Sequence, residues 1–212
     1  MKAATKTEPK ERPILFSSPM VKAILGGTKT QTRRVVNHGK NAVSPSGPYI
    51  EADHDPYSLS STLNACQKIS SASACKYGRP GGRLWVRESV RLTRADSDGA
   101  PLIEPPVWYT ADGECPEPDA YPFSRPSIHM PRWASRIALE ITNVRVERLQ
   151  DISEEDAQAE GVPKSITQYG LTIDYENYRE PFIELWDKIN GKKHPWASNP
   201  WVWVVEFRKI DA

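Results

Sequence analysis

The residues of this sequence best suited to chemistry are two glycines followed by a run of cations and hydroxyls, Gly26 to Arg34. Gly26 and Gly27 allow the backbone to come close to a ligand. Lys29, Arg33 and Arg34 supply positive charge, and Thr28, Thr30 and Thr32 supply hydroxyls. Such a set can hold a phosphate or polarise a carbonyl. The same residues also read as a helix stop followed by a polar strand. Glu160 is the second candidate. It closes a short helical pattern just before Gly161, where a carboxylate faces the negative end of the helix dipole at a cost of about 0.3–1 kcal/mol. A carboxylate held there suits proton transfer. The plainer reading is one more acid in the run Glu154 to Glu160.

Arg87 and Glu88 sit beside Trp85 in a strand pattern, where they could bind a base edge or form an internal ion pair. Trp196 lies in a loop and is a candidate stacking platform. Trp201 and Trp203 share a strand face with Val205 and Phe207 and read as core. Cys66 and Cys75, taken with His38 or His54, match no common zinc spacing. No metal or other cofactor is expected, and the four histidines assemble no Ser/His/Asp set.

The elements that must position these residues follow from local pattern. Arg12 to Ser17 reads as a strand. Ser18 then offers a helix cap, with Pro19 at the first helical position, and Gly26 and Gly27 stop that helix. Thr28 to Val36 is a polar loop entering a strand. In Gly82 to Val90, Leu84, Val86 and Glu88 point one way, Trp85 and Arg87 the other. Val107 to Thr110 reads as a further strand. Arg136 to Leu149 is a long strand whose alternation changes phase near Asn143, as at a bulge. Ser153 caps a helix ended by Gly161, with Asp156 placed to return a capping interaction and Ile152 and Ala157 at the staple positions. A second helix spans about Glu180 to Asn190, with Phe182, Leu185, Trp186 and Ile189 on its core face. Trp201 to Ile210 is a β-prone strand.

Strands outnumber helices, and their spacing is irregular. This points to an α+β fold, a small mixed barrel with flanking helices, rather than a doubly wound sheet. The 212 residues and 38% hydrophobic content suit one domain with insertions. We expect a flexible basic leader over 1–11 and a single domain over 12–212. A long Ser/Pro/Gly-rich insertion is expected at about 37–81. The net charge is only +1, yet residues 1–40 carry nine Lys/Arg against two Glu. A basic end on a neutral chain can bind phosphate locally. Three cysteines and no apolar leader suggest reduced thiols in a cytoplasm. No apolar run is long enough for a bilayer, so no membrane partner is expected.

Residues 13–34, Pro-Ile-Leu-Phe-Ser-x-Pro-Met-Val-x-Ala-Ile-Leu-x-Gly-x-Lys-Thr-x-Thr-Arg-Arg, resemble the opening of ASCH-domain proteins, especially those of phages and prophages. Gly82–Glu88, Ser127–Arg136, Leu149–Val162 and Asn199–Phe207 carry the resemblance further, in the expected order. The resemblance implies a PUA-like β-barrel and RNA or a modified nucleoside as partner. It also implies a place in the bacterial host cytoplasm if the chain is phage-encoded. Some small bacterial members are amidohydrolases that deacetylate N(4)-acetylcytidine with a Lys, a Thr and a Glu. Their motif Gly-x-Lys-Thr-x-Thr-x-Arg falls on Gly27–Arg34. That carries the lysine to Lys29, the threonine to Thr32 and an arginine to Arg34. Their glutamate follows an alanine by three residues, as Glu160 follows Ala157. Lys29 would take the proton of Thr32, or of a water placed by it, and Glu160 would orient the lysine or pass the proton on. Arg34 or backbone N–H groups near Gly27 would hold the oxyanion. Neither the insertion at 37–81 nor the loop 162–178 has a counterpart in the small hydrolases. Two other functions therefore stand beside hydrolysis: a non-catalytic RNA-binding module and a metal-independent ribonuclease.

Overall fold

A computed structural model describes residues 11–36, 75–94, 106–168 and 171–210. The leader up to residue 10, most of the expected insertion, and His38, His54 and Cys66 lie outside the described residues. The chain divides into two compact units. The first comprises residues 1–22, 81–140 and 209–212, the second 23–80 and 141–208. Both mix strands with few helices, which gives an α+β protein. Among the described residues, no helix is long and apolar enough to cross a membrane.

The first unit begins with β1 (Glu11–Leu15), so Glu11, expected in the leader, is already strand. The helix α1 (Ser18–Leu25) follows and runs across the unit boundary. After β2 (Gln31–Val35) in the other unit, β3 (Arg83–Arg87) pairs in parallel with β1, Ile14 opposite Val86. The long strand β7 (Ala138–Arg148) pairs antiparallel with β3, Leu84 opposite Leu139. As expected, Leu84, Val86 and Glu88 are buried, while Trp85 and Arg87 are half-buried. A second sheet has β4 (Val90–Leu92) between β5 (Val107–Tyr109) and β6 (Phe123–Arg125). Val90, Val107, Met130 and Ala134 form its core.

In the second unit the strand order is β7, β10 (Trp201–Ile210), β2. β10 lies between two strands and is buried on both faces, Val202 and Val204 on one, Trp203, Val205 and Phe207 on the other. That explains its nearly continuous apolar run. In β7, Thr142 and Asn143 are both exposed between buried Ile141 and Val144. The phase change falls where alternation breaks in the sequence, and the Asn143 side chain accepts the N–H of Val144 (2.9 Å).

Helix α2 (Glu154–Ala159) starts at Ser153, whose hydroxyl accepts the N–H of Asp156 (3.1 Å). Ile152 and Ala157 staple it to a core with Leu149, Val162, Phe182, Trp186, Val202 and Val204. The Asp156 carboxylate does not return to the cap; it bonds Arg33 and Arg145 instead. Two guanidinium groups offer it more than one backbone N–H can. Ser153→Ala should cost about 0.5–2 kcal/mol, read as a lower urea midpoint with unchanged slope. The hairpin β8 (Ser165–Gln168) and β9 (Leu171–Asp174) is followed by α3 (Arg179–Asn190). Phe182 and Trp186 of α3 are buried and Leu185 packs beside them. Ile189, expected on that face, is 52% exposed because the last turn of the helix lies beyond the core cluster.

Candidate functional site

The end of α1 and the end of α2 meet within the second unit. Gly27, at φ 75°, turns the chain after α1, and its N–H donates to the Ile24 carbonyl (3.1 Å). The N–H groups of Thr28 and Lys29 then both donate to the Ala23 carbonyl (2.9 and 3.1 Å). This tight exit lays Lys29 against Glu160 as an isolated antiparallel bridge, and Thr30 N–H donates to the Ala159 carbonyl (2.9 Å).

The Lys29 ammonium donates twice to one residue. It reaches the Glu160 backbone carbonyl at 2.7 Å and carboxylate Oε2 at 2.8 Å. The first bond satisfies a carbonyl at the C-terminal end of α2, and a cation there offsets the negative end of the dipole. The lysine therefore removes the disfavour that a carboxylate alone would meet at that end. The pair is enclosed, with side-chain exposure of 0% for Lys29 and 5% for Glu160.

Arg33, also buried, joins Glu160 to a wider set. It donates to Glu160 Oε1 (3.3 Å), to Glu147 Oε1 (3.1 Å from Nε) and to Asp156 Oδ2 (2.7 Å). Arg145 then bridges Glu147 (3.0 Å), Asp156 and Glu206. Three cations and four carboxylates thus form one connected network. Taking ions out of water costs several kcal/mol each, which only dense hydrogen bonding offsets.

Burial lowers the pKa of Lys29 below the ordinary lysine value. Glu160 opposes that shift, and the nearby charges of Arg34 and Arg33 add to it. Burial pushes the pKa of Asp156 up, but hydrogen bonds and charge from Arg33 and Arg145 outweigh it and hold the group below its usual range. The resulting stabilisation is present above the unfolded value of about 3.9 and is lost as pH falls through the folded one. Asp156→Asn should therefore flatten the acid side of a stability–pH curve below about pH 4, measured by urea denaturation.

Comparison with protein-family models, with curated proteins and with solved structures finds no match.

The remaining residues singled out from sequence are distributed as follows. Thr32 is buried and pairs in register with Val205. Gln31 and Arg33 reach Asp156 from one face of β2, so alternation turns Thr32 and Arg34 to the other face. The hydrogen bonds of the Lys29–Glu160 pair do not include Thr32. Trp196 sets its ring edge-on to Phe182, 6.3 Å between centroids, and packs on the core.

Arg87 and Glu88 belong to the first unit. Of the two readings open for them, the internal ion pair forms, though not between each other. Glu88 is fully buried and binds Arg136 through both oxygens (3.0 and 3.1 Å). Burial raises its pKa even so. Arg136 also binds Asp112 (2.8 Å twice) and lies over the Tyr109 ring at 3.8 Å. Arg87 lies over Trp85 at 5.2 Å and donates to the Met130 carbonyl (3.2 Å). Cys75 is a buried thiol and Cys115 a half-buried one.

The sequence reading missed Glu147 and Asp156 as partners of Arg33, and Arg145 as the second cation that shares them. The signal was present in β7, where Arg145 and Glu147 stand two apart, on one strand face, opposite in charge.

Proposed function

We propose that the chain is an ASCH-type, PUA-like barrel protein of the cytoplasm. Its activity is hydrolysis of the amide of a modified nucleoside, N(4)-acetylcytidine or a close analogue, free or within RNA. The observation that supports this reading is one lysine, enclosed and lowered in basicity, hydrogen-bonded through its ammonium to the carboxylate of Glu160. Lowered basicity is what a general-base lysine requires.

In this reading neutral Lys29 takes a proton from water as the water oxygen adds to the acetyl carbonyl. The carbonyl electrons move onto oxygen, and the positive charge of Arg34, which acts at Lys29, stabilises them. The oxyanion collapses, the C–N bond breaks, and the proton passes from Lys29 by way of Glu160 to the departing amino group. Acetate and cytidine leave, and Lys29 is neutral again. Thr32 lies on the opposite face of β2 and has no part in this step; the water is held by Lys29 and Glu160.

The assay is direct. Purified protein is incubated with N(4)-acetylcytidine, and cytidine and acetate are read by chromatography. Lys29→Ala should lower the rate at least about 100-fold, the lower end of what a positioned base supplies. Absence of cytidine, or equal rates in the variant, would overturn the reading.

A second reading is favoured by the completeness of the pair's enclosure. With Lys29 and Glu160 engaged by each other and Glu160 by Arg33, the set works as a structural clamp, and the chain is non-catalytic, with RNA binding as the function the resemblance leaves. In that case Lys29→Ala lowers stability and no amide is cut in either protein.

A further inference from the structure

A different part of the first unit carries exposed aromatic and cationic groups that the site above does not use. Residues Pro122, Phe123, Ser124, Arg125, Pro126 and His129 line an open cleft of about 570 Å³. That volume falls in the range of small-ligand sites, roughly 300–1,000 Å³. The three residues of β6, Phe123 to Arg125, are all exposed, on the outer edge of their sheet. Phe123 is 52% exposed, and Trp133 and Ile128 of the same stretch are exposed as well.

The lining of the cleft carries Arg125 and His129 and no carboxylate. From Ala120 to Leu139 the sequence has no acidic residue, but it has Arg125, Arg132, Arg136 and His129. Arg136 is occupied by Glu88 and Asp112, and Arg132 by Glu11. The Arg125 guanidinium has no ion-pair or hydrogen-bond partner among the described residues. An exposed ring flanked by an unengaged guanidinium and an exposed imidazole matches a base and its phosphate. The ring offers a stacking face, the Arg125 guanidinium meets the backbone charge, and the imidazole offers an N–H donor.

We infer that this cleft is a nucleotide subsite for single-stranded RNA, with a base stacked on Phe123 and a phosphate on Arg125 and His129. A peptide strand added to the edge of β6 fits less well. The strand is three residues long and is bounded by Pro122 and Pro126, and proline lacks the N–H such pairing needs. The inference rests on the RNA part of the reading above and not on amide hydrolysis, because its readout is binding and needs no turnover.

The test uses the full chain and a fluorescein-labelled ten-nucleotide oligouridylate, followed by anisotropy over a range of salt. Wild type should bind saturably and weaken as salt rises. Phe123→Ala should weaken binding about 5- to 150-fold, the loss of one stacked base. Phe123→Trp should restore it. Arg125→Gln should reduce the slope of log affinity against log salt by about 0.7, one phosphate contact on a single strand. No saturable binding by wild type would overturn the subsite, as would unchanged affinity in a folded Phe123→Ala protein. Circular dichroism melts of each variant verify folding.

Discussion

Glu160→Ala should cost the fold about 3–5 kcal/mol at neutral pH, the usual penalty for removing one partner of a buried pair. The loss should shrink as pH rises. Glu160 opposes the burial that lowers Lys29's pKa, so without the carboxylate the lysine falls further below its unfolded value of about 10.4. Between the folded and unfolded values, the unfolded chain carries a proton that the folded chain has shed. Stability therefore rises with pH across that window. Urea denaturation at pH 6 and pH 9 should show a steeper rise for Glu160→Ala than for wild type. The double variant Lys29→Met, Glu160→Leu should recover part of the loss, because it leaves no unpaired ion behind. An equal loss at both pH values would contradict this account of the pair.

Gly161→Ala is the second large effect. Gly161 has φ 77°, which costs an L-residue about 1–2 kcal/mol. An added Cβ would also lie 2.7 Å from Lys29 Cβ and 2.9 Å from Ala23 Cβ. Neither neighbour is the far end of a flexible chain; both are anchored at the backbone. Overpacking of that kind adds roughly 1–3 kcal/mol. The expected result is a large drop in the urea midpoint. If hydrolysis is present, its rate should fall as well, because the methyl group would push the lysine stem away from Glu160. Gly27→Ala is the useful contrast. Gly27 also has positive φ, but nothing lies within 4 Å of where its Cβ would stand. Only the conformational part of the cost should appear there, about 1–2 kcal/mol.

Local chemistry made much of this molecule legible. Ser153 as a cap, Gly161 as a stop and Gly27 after α1 are single-residue signals with one physical meaning each, and each stands where expected. The phase change near Asn143 was equally local. Long-range partners were harder to read. Lys29 and Glu160 lie 131 residues apart in sequence, and nothing in their spacing states that they meet. Physical reading flagged each for its own reason; only the resemblance joined them. Arg33 looked like a ligand-facing cation, and in the fold its charge is taken up by Glu147, Asp156 and Glu160. Glu88 found its partner 48 residues away in Arg136, not in the adjacent Arg87, because strand alternation turns neighbours to opposite faces. Trp196 has the composition of an exposed loop residue, but Phe182 supplies an edge for its ring. Ile189 shows the opposite limit: helical periodicity continues past the point where the core ends.

The central claim is that Lys29 is a buried lysine of lowered basicity, and its own titration tests that most directly. The protein would be labelled with lysine carrying carbon-13 at Cε, the Lys29 signal assigned by its loss in Lys29→Ala, and its shift followed with pH. The account predicts a midpoint below the ordinary lysine value of about 10.4, displaced lower again in Glu160→Ala. A midpoint at or above that value would contradict it, and would leave the Lys29–Glu160 pair as an ion pair that holds the fold and accepts no proton.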